Sequence, residues 1–314
     1  MRWGRWVELV NSREPVVGLA LFRVLVGLVL FEELFTAWWV GVDRALWLPP
    51  EHGGIAPVSE GWLFHLLGGV TPVTMGLVLW TTMAAALMVS AGALTRVSAL
   101  VAQQGFLALM FLNGQAGGGH DKLITNALWI LALSPAGTSA SIDCRVRTGR
   151  WLDPTPRAGW PRWVLGLQIA CTYTFAGWAK MGPEWWPWGG WKAVYVSILQ
   201  PQWNEIDATW VAFVYPLTQL ATVLTMVFEC GFFLVPLWMA LRHPFPALRR
   251  FDVRVPFLLL ALGMHATLET FMNLGPFARI SVAYYLTLFD ADEYARAAAA
   301  IARAFGRAPR PEPT

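Results

Sequence analysis

YTFAGWAKMGPEWWPWGGW, residues 173–191, joins the end of an apolar run to a loop dense in tryptophan, and a single amine, Lys180, stands at the junction. Tryptophan and lysine collect where a helix leaves the hydrocarbon for the headgroup level, so this stretch reads as the end of a membrane span. Lys180 itself has two readings. It is an interfacial anchor, or it is a chemically active amine held against indole rings.

The composition carries the membrane reading to the whole chain. Of 314 residues, 56% are hydrophobic and 14% charged, with 19 Trp and a mean hydropathy of +0.48. That is more apolar surface than a soluble domain of this size buries. The net charge of +3 is spread along the chain rather than gathered on one face, which argues against nucleic-acid binding. Cys144, Cys171 and Cys230 show no C-x-x-C spacing, so neither a disulfide framework nor a metal site is expected.

Apolar runs fall at residues 15–40, 72–94, 97–112, 123–133, 163–181, 210–240, 256–272 and 277–289. The first is too long and too charged, with Arg23, Glu32 and Glu33, for a signal peptide, and reads as a retained helix. The sixth would be about 46 Å long as one helix, so Pro216 and Pro236 are expected to mark its limits, while the eighth reaches only about 20 Å. Within the loop 183–208, WKAVYVSILQ suits a short helix in the interface. The expected fold is all-α: a polytopic membrane helix bundle of about eight transmembrane helices over residues 1–290. Residues 291–314 form an amphipathic helix, with Tyr294, Ala298, Ile301 and Phe305 opposite Arg296 and Arg303, followed by a Pro-rich disordered tail.

Eight crossings with both termini cytoplasmic gather most of the arginines, including those of residues 144–163 and 242–254, into inner segments of a cell (inner) membrane protein. The same topology brings His120, Lys180 and His265 to one depth on the outer face. Glu269 follows His265 at i+4 and is expected on its face of the helix. Glu229 lies deeper in the sixth run and needs a partner, for which Arg23 is the candidate in a structural ion pair. Asp121 is a supporting polar group beside His120, and the glycines 117–119 can turn backbone amides toward an anion. GxSxG, HExxH, Walker and strand-borne GxGxxG motifs are absent, so any chemistry belongs to the membrane region.

The stretches ALFRVLVG (20–27), GGHDKLI (118–124), AGWAKMGPEWWPWGG (176–190) and MHATLETFMNLGPFARI (264–280) together resemble the horizontally transferred transmembrane domain, the membrane part of vitamin K-dependent gamma-carboxylases. The length is similar to that of its short bacterial forms, such as sporulation-delaying toxin maturation proteins. The resemblance implies that Lys180, at the lysine of the AG-x-x-K motif, is the base that deprotonates a reduced quinone of the vitamin K or menaquinol type. It also implies that His120 handles protons at the same site, with His265 a looser match. In the carboxylases, oxidation of the quinol by oxygen drives proton removal from a glutamyl side chain and addition of carbon dioxide. Those enzymes carry a large lumenal region that binds their substrate, whereas only a short tail follows the last span here, and Ala179 replaces a lysine common in the animal enzymes.

A lysine ordinarily titrates at roughly 10.4 and becomes a base near neutrality only when desolvated. Trp178, Trp185 and Trp186 can supply the apolar wall and stack on a quinone ring, but the same indoles favour a charged amine through cation–π contact. Three functions follow as alternatives. One is a quinol-dependent enzyme of the carboxylase or oxidoreductase kind, with lipid and an isoprenoid quinone as partners. The second is a maturation or immunity factor for a small secreted peptide. The third is a transporter or channel built on Glu229, Arg23 and His265.

Overall fold

The computed structural model describes residues 4, 7, 8, 11–203 and 207–305. The described residues are helical apart from turns and one antiparallel bridge, β1 (Arg13–Glu14) against β2 (Arg157–Ala158). A helix falls within or across each of the eight apolar runs: α1 (Val17–Trp39), α2 (Pro72–Ala91), α3 (Thr95–Leu112), α4 (Gly119–Leu133), α5 (Trp160–Trp178), α6 (Tyr215–Gly231), α7 (Arg254–Phe271) and α8 (Phe277–Leu286). The amphipathic segment after them is helical as α9 (Ala291–Ala304), and the expected interfacial helix of the Trp-rich loop is present at Ala193–Ile198. The Pro-rich end, 306–314, lies outside the described residues.

Among the described residues, three helices are long and apolar enough to cross a membrane: Pro72–Ala91, Thr95–Leu112 and the continuous Thr209–Gly231. Three of the others fall short for visible reasons. Arg23, Glu32 and Glu33 interrupt α1. With 15 residues in α4 and 10 in α8, those helices are about 22 and 15 Å long against a hydrocarbon core of roughly 30 Å. Helix length alone therefore does not supply eight full crossings.

The sixth run breaks at Phe232 and Phe233, between α6 and a short helix at Leu234–Leu241, rather than at Pro236. Pro216 starts α6 as expected, where a missing N–H costs nothing. Pro236 acts at a distance of four residues: its ring excludes an α-helical bond to the carbonyl of Phe232, which accepts instead from the amide of Val235 at 3.0 Å.

The chain divides into two compact units. The first comprises Met1–Gly117, Ile124–Trp163 and Ala283–Thr314. In it α1 and α2 pack backbone to backbone, because a Cβ on Gly27 would lie 2.5 Å from the carbonyl oxygen of Ala86. Fully buried Arg23 uses this proximity: its guanidinium donates to the carbonyls of Val89 (2.9 Å) and Ser90 (3.0 Å) at the end of α2, and to Ala140 (2.6 Å). It satisfies helix-terminal carbonyls, as the macrodipole favours, and its partners are these carbonyls rather than Glu229. Asp143 caps α3 by accepting from the amides of Leu94 and Thr95, each at 2.8 Å, and from the Thr95 hydroxyl at 2.7 Å. Burial alone would raise this carboxyl, but those donors and Arg23 outweigh it and hold Asp143 below the usual carboxylate range. Arg162 ties Glu14 (2.7 Å) to Asp290 (3.1 Å) at the start of α9.

The second unit comprises Gly118–Leu123 and Val164–Val282. It contains most of α5, all of α6 and α7, the first turn of α4 and the start of α8.

Candidate functional site

Two polar pairs anchored on α5 organise the second unit. Lys180 sits just beyond the C-terminus of α5, which ends at Trp178. Its Nζ forms an ion pair with Glu229 of α6, lies 4.9 Å from the centroid of the Trp185 ring and is 3.4 Å from the carbonyl of Ala176. A carboxylate, an indole face and the carbonyl end of a helix are all partners for an ammonium ion. The backbone is fixed in turn, since the Trp186 indole N–H donates to the Lys180 carbonyl at 3.0 Å. Trp186 also stacks on Trp188, with ring centroids 5.3 Å apart.

Gly177 makes the pair possible. A Cβ there would lie 2.7 Å from the amide nitrogen of Cys230 and 2.9 Å from the Cβ of Glu229, so α5 and α6 approach to a distance only glycine admits. Adjacent residues of α6 then serve both pairs: Glu229 meets Lys180, and Phe228 packs edge-on against Tyr173, centroids 4.7 Å apart.

Tyr173 is the partner of His265. Its hydroxyl lies 2.8 Å from His265 Nε2, with both residues almost fully buried. Phe232 and Phe277 complete an aromatic wall around Tyr173, and Phe277 also contacts the His265 ring, centroids 5.6 Å apart. The residues Met264, Thr267, Leu268 and Phe271 of α7, on either side of His265, line an apolar cavity of about 170 Å³ together with Trp185, Ser197 and Ala221. Trp185 thus touches the amine and the cavity alike.

The remaining sequence candidates fall as follows. His120 opens α4 and lies 3.1 Å from Asp121 Oδ1, while the other carboxylate oxygen of Asp121 accepts the Gly118 amide at 2.7 Å, as a helix-capping residue does. The glycines around it make room for the imidazole instead of cradling an anion: a Cβ on Gly118 or on Gly275, which has φ +60°, would lie within 2.9 Å of the ring. Glu269 does not share the buried setting of His265. It is 42% exposed and lies 3.8 Å from Arg279. Trp178 is exposed and packs against Phe175 and Phe233. Sequence reasoning passed over Tyr173, although it stands two helical turns before Lys180, a spacing that returns to the same side of a helix.

Helices long and apolar enough to cross a membrane, with a partly buried amine–carboxylate pair, define a helical membrane protein with a polar site beside an apolar cavity. The family model of the HTTM domain matches residues 11–292, and the chain belongs to that family, which is associated with vitamin K-dependent carboxylase-like membrane proteins. Neither the curated proteins nor the solved structures yielded a match.

Proposed function

We propose that this protein is a quinol-dependent membrane enzyme of the carboxylase or epoxidase type, with Lys180 as its base. The observation that carries the reading is the position of Trp185, one face of which meets the Lys180 amine at 4.9 Å while its ring also walls the 170 Å³ cavity. A flat ring held there shares the Trp185 wall with the amine. The lining suits such a guest, being apolar, with the Trp185 and Phe271 rings and the Met264 and Met272 thioethers among aliphatic side chains and the hydroxyls of Ser197 and Thr267 as its polar groups. A bound reduced quinone supplies the acidic hydroxyl and the reducing equivalents. Glu229 is in contact with Lys180 Nζ and can take the ammonium's proton, which leaves a free amine to accept the next one. His265, oriented by Tyr173, and His120, held by Asp121, are the further proton-handling groups of this reading.

The reading includes eight crossings of a bacterial inner membrane with both termini cytoplasmic. It is supported by the presence of helix in each apolar run and by the concentration of arginine in alternate loops.

Purified protein in lipid nanodiscs, supplied with menaquinol and oxygen, is expected to oxidise the quinol faster than protein-free nanodiscs. Lys180→Met should abolish the excess and Lys192→Met should retain it. Full activity in Lys180→Met overturns the assignment.

A further inference from the structure

A second cavity, in the first unit, has features that the Lys180 site does not use. It measures about 410 Å³ and is walled by α2 and α3 under the short helix Trp62–Leu66, with Leu63, Leu67, Leu77 and Leu100 in its lining. Both long walls belong to helices that are long and apolar enough to cross a membrane. Its polar lining includes Gln104 and Thr81.

Gln103 and Gln104 stand ninth and tenth of the 18 residues of α3, about 13 Å from either end at ~1.5 Å per residue. Gln104 Nε2 donates to Gln103 Oε1. This leaves the Gln104 carbonyl oxygen, the Thr81 hydroxyl and the Nε2 of fully buried Gln103 without partners among the described residues. Unmet amide and hydroxyl groups in the middle of a hydrocarbon layer are costly, and ordinary acyl chains cannot satisfy them.

We propose that this groove binds a neutral lipid with a long apolar chain and a small hydroxyl-bearing head. The depth of Gln104 selects against phospholipids, whose charged heads stay at the surface, roughly 15 Å from the midplane. A hydroxyl both donates and accepts, which matches a carbonyl oxygen left without a donor and a neighbouring threonine. The volume lies within the roughly 300–1,000 Å³ of small-molecule sites. The proposal does not rest on the reading of Lys180.

The test is photo-crosslinking of the full chain in nanodiscs with a diazirine-tagged prenol, followed by peptide mapping. Labels are expected on α2 and α3 peptides containing Leu77 or Leu100, competed by untagged prenol but not by its methyl ether or by added phosphatidylcholine. Gln104→Leu should weaken labelling about five- to tenfold, the worth of one buried hydrogen bond. Val101→Trp, which fills the groove, should suppress it, and Lys180→Met should leave it unchanged. Labels spread evenly over all lipid-facing helices, equal competition by the ether or the phospholipid, or undiminished labelling in Gln104→Leu overturn the proposal. The competition arms use the unaltered protein and hold even if a variant fails to fold.

Discussion

Lys180 and Glu229 are 49 residues apart in the chain and form one ion pair across α5 and α6. Removing one member leaves the other charged in a poorly solvated place, which costs more than the pair itself contributes. Lys180→Met is expected to destabilise the protein by about 3 kcal/mol, and Lys180→Met/Glu229→Leu to recover most of it. Unfolding of the variants in mixed micelles checks this, and a double variant no better than the single one would refute it.

Gly177 controls the same pair through backbone distance. Gly177→Ala is expected to cost about 1–3 kcal/mol through overpacking against Cys230 and Glu229. Gly263→Ala is the control, since a Cβ there meets nothing within 4 Å in a helix that alanine favours. Equal melting temperatures for the two variants would remove Gly177 from the argument.

Tyr173→Phe keeps the ring in its aromatic wall and deletes only the hydroxyl that reaches His265 Nε2 at 2.8 Å. The cost is expected to be about 1–3 kcal/mol, the range for a buried polar group that loses its partner. Nitrogen NMR of labelled histidine should show the His265 ring resonance moving in this variant. An unmoved resonance would place the hydrogen bond elsewhere.

Tyr294 packs α9 against α1 within the first unit, its ring 2.9 Å from where a Cβ on Gly18 would sit. Burial pushes its phenol from 10.0 up to about 12, with Arg162 opposing and Glu293 reinforcing the shift. A folded-state value above the unfolded one means that the contribution to stability is complete below pH 10.0 and is lost as pH rises toward about 12. Phenolate absorbance should therefore reveal a late-titrating tyrosine, absent in Tyr294→Phe, whose ionisation coincides with release of α9. A normal titration for every tyrosine would contradict this.

The reach of the sequence differs from element to element. The eight apolar runs each contain a helix because hydrophobic patterning is a local property, and the amphipathic repeat of Tyr294, Ala298 and Ile301 marks α9 for the same reason. The site motif was legible as a lysine at the mouth of a span. Its partner was not: Arg23 and Glu229 are complementary on paper, yet Arg23 is consumed by three carbonyls and Glu229 by Lys180. Helical spacing also misled at Glu269, because i+4 places two residues on neighbouring parts of a face without fixing how deeply either is buried.

By itself the sequence determined a helical membrane protein, the positions of its helices and the motif at Lys180, all consequences of composition and short-range periodicity. Only the tertiary structure decided that Glu229 faces Lys180, that Tyr173 holds His265 and that Trp185 stands between amine and cavity. Those pairings depend on how closely α5 and α6 approach, and a missing Cβ at Gly177 sets that distance over a separation along the chain that no local pattern spans.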